Sequence, residues 1–213
     1  MANTDMRAAR RTGNSATNDV VAALESNEFD ALLTAQDLPP YTEIVRLGKG
    51  WSTMSTAAVA GLVVRPSTVA AFEIHNGYAS TGPSLIIDRL FWFNLVSTNV
   101  IEGFSGWAAV TGAKAAPANG SFVVRGNSGN AYGGSVIAAA GTTVVDSGWF
   151  PWGTAISKGA GGVVPFGAIT VDVEGRLIVP PGRSLCLHVV SSLVGQTFTQ
   201  GASWYERVIS NQS

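Results

Sequence analysis

The sequence predicts a mainly β protein, an antiparallel β-sandwich of jelly-roll-like kind preceded by an N-terminal arm with a short helix. Three observations carry that expectation. Short runs rich in β-branched and aromatic residues recur from Tyr41 to Ile209. Gly, Asn and Pro interrupt them at intervals of roughly ten residues, and 25 of the 213 residues are glycine. No alternation of strand and helix patterns follows residue 40, so a parallel βαβ sheet is not expected.

Charge divides the chain. Lys and Arg number 13, and Asp and Glu number 14. Together they are 13% of the residues, where roughly 25% is usual. Nine of these charges lie in residues 1–37. We therefore read residues 1–39 as an arm and 40–213 as a β-sandwich domain. In the arm, Asn18-Asp19 is a helix-capping pair. Val20, Val21, Leu24, Phe29, Leu32 and Leu33 then recur near helical spacing, which predicts an amphipathic helix over 19–36, ended before Pro39-Pro40. Such a helix is marginal alone in water, so Val20, Leu24, Phe29 and Leu32 are its expected anchor, on this body or on another subunit.

The body begins with an expected strand at Tyr41–Leu47, turned by Gly48-Lys49-Gly50. Val69–Ile74 leads into His75-Asn76-Gly77, and Asn-Gly is a hairpin signal. Ser84–Ser97 has apolar residues on both of its alternating faces, the pattern of a central strand covered on both sides. Further strands are expected at Phe104–Val110, Ser121–Arg125, Ser135–Ala138, Thr142–Asp146, Ala168–Val173 and Arg176–Val179. Ser184–Val190, Thr197–Thr199 and Ser203–Ile209 complete the row. Gly153 and the run Gly159 to Gly162 read as breaks.

No chemistry stands out. The net charge of −1 lacks the basic excess of a nucleic-acid binder. No apolar stretch is long enough for a membrane helix. Arg7, Arg10 and Arg11 are not followed by the apolar stretch of a secretory leader. Cys186 is the sole cysteine, so no intrachain disulfide forms, and its alternation with Leu185 and Leu187 marks a small buried hydrophobe. His75 and His188 sit on separate segments, and Asp172 and Glu174 lack the further oxygens of a hard-cation loop. The glycines at 159, 161 and 162 lack the Lys-Ser/Thr of a phosphate loop. No catalytic residue, metal ligand or cofactor is expected, and no enzyme. The rings of Trp149, Phe150 and Trp152, with Tyr132, either cap one end of the core or contact a partner protein or glycan.

Leu38-Pro39-Pro40-Tyr41-Thr42-Glu43 precedes the body, Gly175-Arg176-Leu177-Ile178-Val179-Pro180-Pro181-Gly182-Arg183-Ser184-Leu185 lies late in it, and Gly201-Ala202-Ser203-Trp204-Tyr205-Glu206 lies near its end. In these segments and in general character over 38–209, the chain resembles small virion proteins of tailed bacteriophages. The resemblance transfers no catalytic motif. It implies a capsid decoration (cement) protein with a jelly-roll body, a homotrimer made in the host cytoplasm and resident in the phage particle. Its implied partners are itself and the major capsid protein or other virion proteins, with no nucleic acid and no membrane. A receptor- or glycan-binding tail-fibre head, a surface-polymer hydrolase and a head-tail connector component are the alternative readings.

Overall fold

The computed structural model describes residues 7–10, 20–23, 42–97, 101–118, 120–144, 148–158 and 167–209. The chain divides into two compact units, Met1–Pro40 and Tyr41–Ser213. In the first, β1 (Arg7–Arg10) pairs antiparallel with β2 (Val20–Ala23), placing Arg10 opposite Val20. The helix expected over 19–36 is corrected at Val20–Ala23, which are a strand. Val20 and Val21 are β-branched and favour the extended backbone that β1 pairs with. Leu24, Phe29 and Leu32 lie outside the described residues.

The second unit runs α1 (Thr42–Arg46), β3 (Gly50–Met54), β4 (Val59–Ala60), β5 (Val69–Ala70), β6 (Phe72–Asn76), β7 (Ser84–Val96) and β8 (Ile101–Val110). It continues with β9 (Arg125–Gly126), β10 (Val136–Ala139), β11 (Thr142–Thr143) and β12 (Phe150–Lys158). β13 (Ala168–Asp172), β14 (Ile178–Val179), β15 (Ser184–Ser191) and β16 (Thr197–Arg207) complete it. The strand expected at 41–47 is instead the single helical turn α1. Its end is closed by Gly48 N–H donating to the Val45 carbonyl (2.9 Å) and Lys49 N–H to that of Ile44 (3.0 Å), with Gly48 at φ 68°. This paired reversal satisfies the last helical carbonyls and outweighs the β preference of Ile44 and Val45.

Among the described residues the long strands form two antiparallel sheets. One has the order β10-β6-β15-β8-β12, and the other β13-β7-β16-β3-β9, with β14 beside β7 and β4 beside β16. The strands β3, β6, β7, β8, β12, β13, β15 and β16, numbered one to eight in chain order, give sheet orders 1-8-3-6 and 2-7-4-5. That is the double Greek key of a jelly roll. The inner faces meet in one core that includes Phe72, Ile74, Leu185 and Leu187 from the first sheet and Leu90, Trp92, Phe198 and Trp204 from the second. Two expected elements change in this arrangement. His75-Asn76-Gly77 is no hairpin, because β6 and β7 lie in different sheets and the chain crosses between them. The Asn76 side chain holds the crossing by donating to the carbonyls of Pro83 and Val179 (2.9 Å each).

Strand β7 is central, between β13 and β16, but it is not covered on both sides along its length. Ser203 pairs with Arg89 and Trp204 with Ile87, so Asp88 is an extra residue bulged out of the ladder. Its carbonyl takes the Val173 N–H (2.6 Å) from the turn after β13. The bulge inverts the phase of alternation: Leu85 and Ile87 point inward before it, and Leu90 and Trp92 after it. Phe93 and Leu95 consequently face out and are exposed. A strict period of two had placed Leu85, Ile87, Phe93 and Leu95 on one face.

Glycines inside strands serve close contacts here. A Cβ on Gly106 would stand 2.5–2.7 Å from the Trp92 ring, so Trp92 of one sheet lies flat against the backbone of the other. A Cβ on Gly201 would meet the Phe91 ring at 2.6 Å. Gly201 therefore does not break the chain: Thr197–Thr199 and Ser203–Arg207 belong to the one strand β16. Likewise Gly153 lies within β12, beside the bulge at Trp152, rather than in a loop. The strand expected at Ser121–Arg125 reduces to a bridge between Phe122 and Ala138, followed by β9. That expected at Thr142–Asp146 reduces to β11, with residues 145–147 outside the described ones. No helix among the described residues is long and apolar enough to cross a membrane.

Gly106→Ala forces a methyl group into the Trp92 ring. The expected loss is about 1–3 kcal/mol in urea unfolding, an overpacking effect, and Gly112→Ala, whose added Cβ meets nothing within 4 Å, serves as the control with little change.

Candidate functional site

The outer face of the five-stranded sheet carries the densest polar grouping among the described residues. Alternation on β6 sends Glu73 and His75 to this face, and alternation on β15 sends Ser184, Cys186 and His188 there. All five are buried, because other segments lie over them. The segment after β8 is tied down by Thr111 N–H to the Ser184 carbonyl (2.8 Å) and Lys114 N–H to the Gly182 carbonyl (3.1 Å). β5 and β11 pair as a small separate sheet, and Ala70, Val144 and Trp149 pack with Ala109 and Cys186 in a second, smaller apolar cluster.

Within this layer Lys114 Nζ donates to both oxygens of the Glu73 carboxylate (2.7 and 2.9 Å). Ser184 Oγ donates to Glu73 Oε1 (2.5 Å) and lies 2.9 Å from His75 Nδ1. With its hydroxyl proton directed at Glu73, Ser184 accepts from a protonated Nδ1. A hydrolytic triad needs the histidine between serine and acid and an accessible hydroxyl. Here the serine lies between the other two and is fully buried, so the grouping is built to join segments rather than to attack a substrate. Burial holds the His75 pKa below its usual value against the opposing pull of Glu73, and burial likewise lowers that of His188. Burial pushes the Cys186 thiol far up, so it stays an unreactive hydrophobe in the small cluster. Among the described residues no three His, Cys, Asp or Glu side chains gather as metal ligands. Asp172 pairs with Arg89 at the surface (2.7 Å), and Glu174 sits beyond the strand in a turn at φ 53°.

The four aromatic residues singled out in the sequence do not come together as one platform. Trp149 is only 3% exposed, and its indole N–H donates to the Ser67 carbonyl (3.2 Å). Trp152 is half-buried and packs on the main core. Phe150 alone stands out, at 67% exposure. Tyr132 also packs on the main core but makes its own polar contacts: its hydroxyl donates to Glu206 Oε1 (2.8 Å), Tyr78 donates to Oε2 (3.0 Å), and the Tyr132 and Trp51 rings meet edge to face (4.7 Å between centroids). Burial and these hydrogen bonds push the Tyr132 pKa strongly upward, so it remains a donor. This clamp ties the β6–β7 crossing and the segment before β10 to the end of β16. Of the expected arm anchor, Val20 lies on β2, and the other three residues are outside the described ones.

Sequence reasoning missed an open groove of about 810 Å³ on the same outer face. It is lined by Gly103 and Ser105 of β8, Thr154 and Ile156 of β12, Val190 of β15, and Val63. Apart from its hydroxyls the lining is apolar and uncharged, and Val63 and Ile156 are exposed at it. The signal for it was the uncharged run Phe150–Ser157, which the break assigned to Gly153 concealed.

No protein-family model matches the sequence, and no curated protein does. Among solved structures, the chain is similar to one described as the structure of a marine algae virus of the order Picornavirales, with 12% identity over 98% of this chain and 87% of that chain and a TM-score of 0.26. A superposition that loose says nothing about function.

Two expectations follow from the buried layer. Lys114→Met leaves the Glu73 carboxylate buried and unpaired, so stability falls by about 3 kcal/mol. Adding Glu73→Gln restores most of it in a urea double-mutant cycle. The second concerns pH. His75 and His188 have folded pKa values below the 6.5 of the unfolded chain. The unfolded state therefore binds protons first: the stability of the neutral, buried forms is complete above that value and is lost as pH falls from it toward the depressed ones. Melting temperature should drop between about pH 7 and about pH 5, and the double variant His75→Gln/His188→Gln should show a flatter profile over that window.

Proposed function

We propose that this protein is a structural component of a bacteriophage particle, a capsid decoration (cement) protein that binds and stabilises the shell through a trimeric β body and its N-terminal arm, without a catalytic role. The observation that carries this reading is the pair of sheet orders, 1-8-3-6 and 2-7-4-5, of a jelly roll. That architecture recurs in viral capsid and lectin domains, and the inference from it is one of fold analogy. The sequence resemblance to small phage virion proteins points the same way. A body with so few charges can be covered by neighbours without desolvating ions. A separate N-terminal unit adds a second point of attachment, and two weak contacts on one chain bind a repetitive shell through effective concentration. The glycan-binding alternative is disfavoured because Trp149 is buried, Tyr132 and Trp152 are partly buried against the main core, and the Tyr132 hydroxyl is engaged by Glu206.

The test is co-sedimentation of the purified chain with expanded phage shells, followed by heating of the decorated particles. Saturable binding, a higher temperature of shell disruption and weaker binding after deletion of residues 1–37 are expected. A chain that ignores shells but is retained on host polysaccharide overturns the reading in favour of the glycan-binding one.

A further inference from the structure

The two flanks of the sandwich are finished differently. On one, the chain after β8 crosses to the outer edges of both sheets, so that β9 lies beside β3 and β10 beside β6. Ser121 and Phe122 then lie along β10, donating to the Ala138 carbonyl (2.8 and 3.1 Å). On the other flank the five-stranded sheet ends at β12, whose partner among the described residues is β8. β13 lies beneath it in the other sheet: a Cβ on Gly153 would meet Ile169 at 2.8 Å, yet the two strands do not pair. Among the described residues, therefore, no strand lies beside the β12 backbone on the side away from β8.

Open edges are ordinarily blunted by charge, proline, a bulge or a covering segment. Pro151 and the bulge at Trp152 blunt the start of β12. Gly153-Thr154-Ala155-Ile156-Ser157 has no charge, no proline and no bulge, and Ile156 stands 61% exposed beside the uncharged groove. The β12 backbone groups on this side pair with no strand among the described residues, and such a row selects an extended strand as its occupant. Neutrality selects which strand. With a two-fold axis at Ala155, Thr154 faces Ile156 of the second copy and Gly153 faces Ser157, so the uncharged segment meets its own copy without setting an ionised side chain against an apolar or like-charged one.

We propose that β12 pairs antiparallel with β12 of a second copy of this chain, centred on Gly153–Ser157, joining two five-stranded sheets into one and covering both Ile156 side chains. The proposal deepens the reading of an oligomeric body by naming one of its contacts. Combined with a three-fold association elsewhere it gives six copies, and without one it gives two.

The experiment is native mass spectrometry of the full chain beside Ile156→Lys and Thr154→Lys, both at exposed positions, with thermal melting to verify folding. The expected result is an even copy number that each variant halves while melting is unchanged. Amide exchange at Gly153–Ser157 should also slow as wild-type concentration rises. A wild-type monomer or trimer, or an even assembly untouched by both variants, overturns the pairing. A trimer that still decorates shells overturns the pairing alone, whereas β12-dependent pairs that ignore shells overturn the decoration reading alone. Protection of Gly153–Ser157 only on shells means that the edge takes a strand of the shell protein, which also overturns self-pairing.

Discussion

Trp92 lying on Gly106 is the contact on which the rest of the body depends. A fully buried indole fills the space between the sheets at a point where the opposite backbone carries no side chain. The spacing of packed sheets is ordinarily close to 10 Å, filled by side chains from both faces; here one ring supplies most of that filling and one strand concedes it. Trp92 faces inward only because the bulge at Asp88 has shifted the alternation of β7. The same carbonyl receives the turn that links β13 to β14, so both strands run along one edge of β7. Core, bulge and strand order are thus one geometric solution.

Polar groups are placed by the same constraint. With the inner faces given to apolar side chains, the ionisable residues of β6 and β15 fall on the outer face, where further segments cover them. Glu73 is tolerated there because Lys114 and Ser184 satisfy its oxygens. Cover on this face ends at the groove beside β12, whose segment Gly153–Ser157 carries no charge before Lys158 ends the strand. One flank of the sandwich is thus finished by the chain itself, and the other, among the described residues, ends on the uncharged segment Gly153–Ser157.

Much of this was legible in the residues, and the failures share a cause. β8, β13 and β15 were readable because each alternates without interruption and is bounded by turn residues. β7 was located correctly, but its faces were misassigned, since a bulge leaves no mark in composition. Gly153 was taken as a break because a glycine required by a close packing contact, here with Ile169 of the other sheet, looks the same as one required by a turn. The run 41–47 was read as a strand from Ile44 and Val45, although Gly48 just beyond it was the signal of a helical end. Trp149 and Trp152 are close in sequence but serve separate clusters, because residues three apart on extended backbone face opposite sides of the sheet.

The sequence by itself determined the mainly β class, the position of most strands and the buried character of Cys186. These follow from short-range causes: side-chain branching, turn chemistry and the period of apolar residues. Only the tertiary structure decided the order of the strands, the inward turn of Trp92, the burial of Glu73 and His75 beneath a third layer, and the open edge at β12. Each of those depends on which distant segment arrives alongside, and a residue's local pattern is the same whether or not a neighbour comes to cover it.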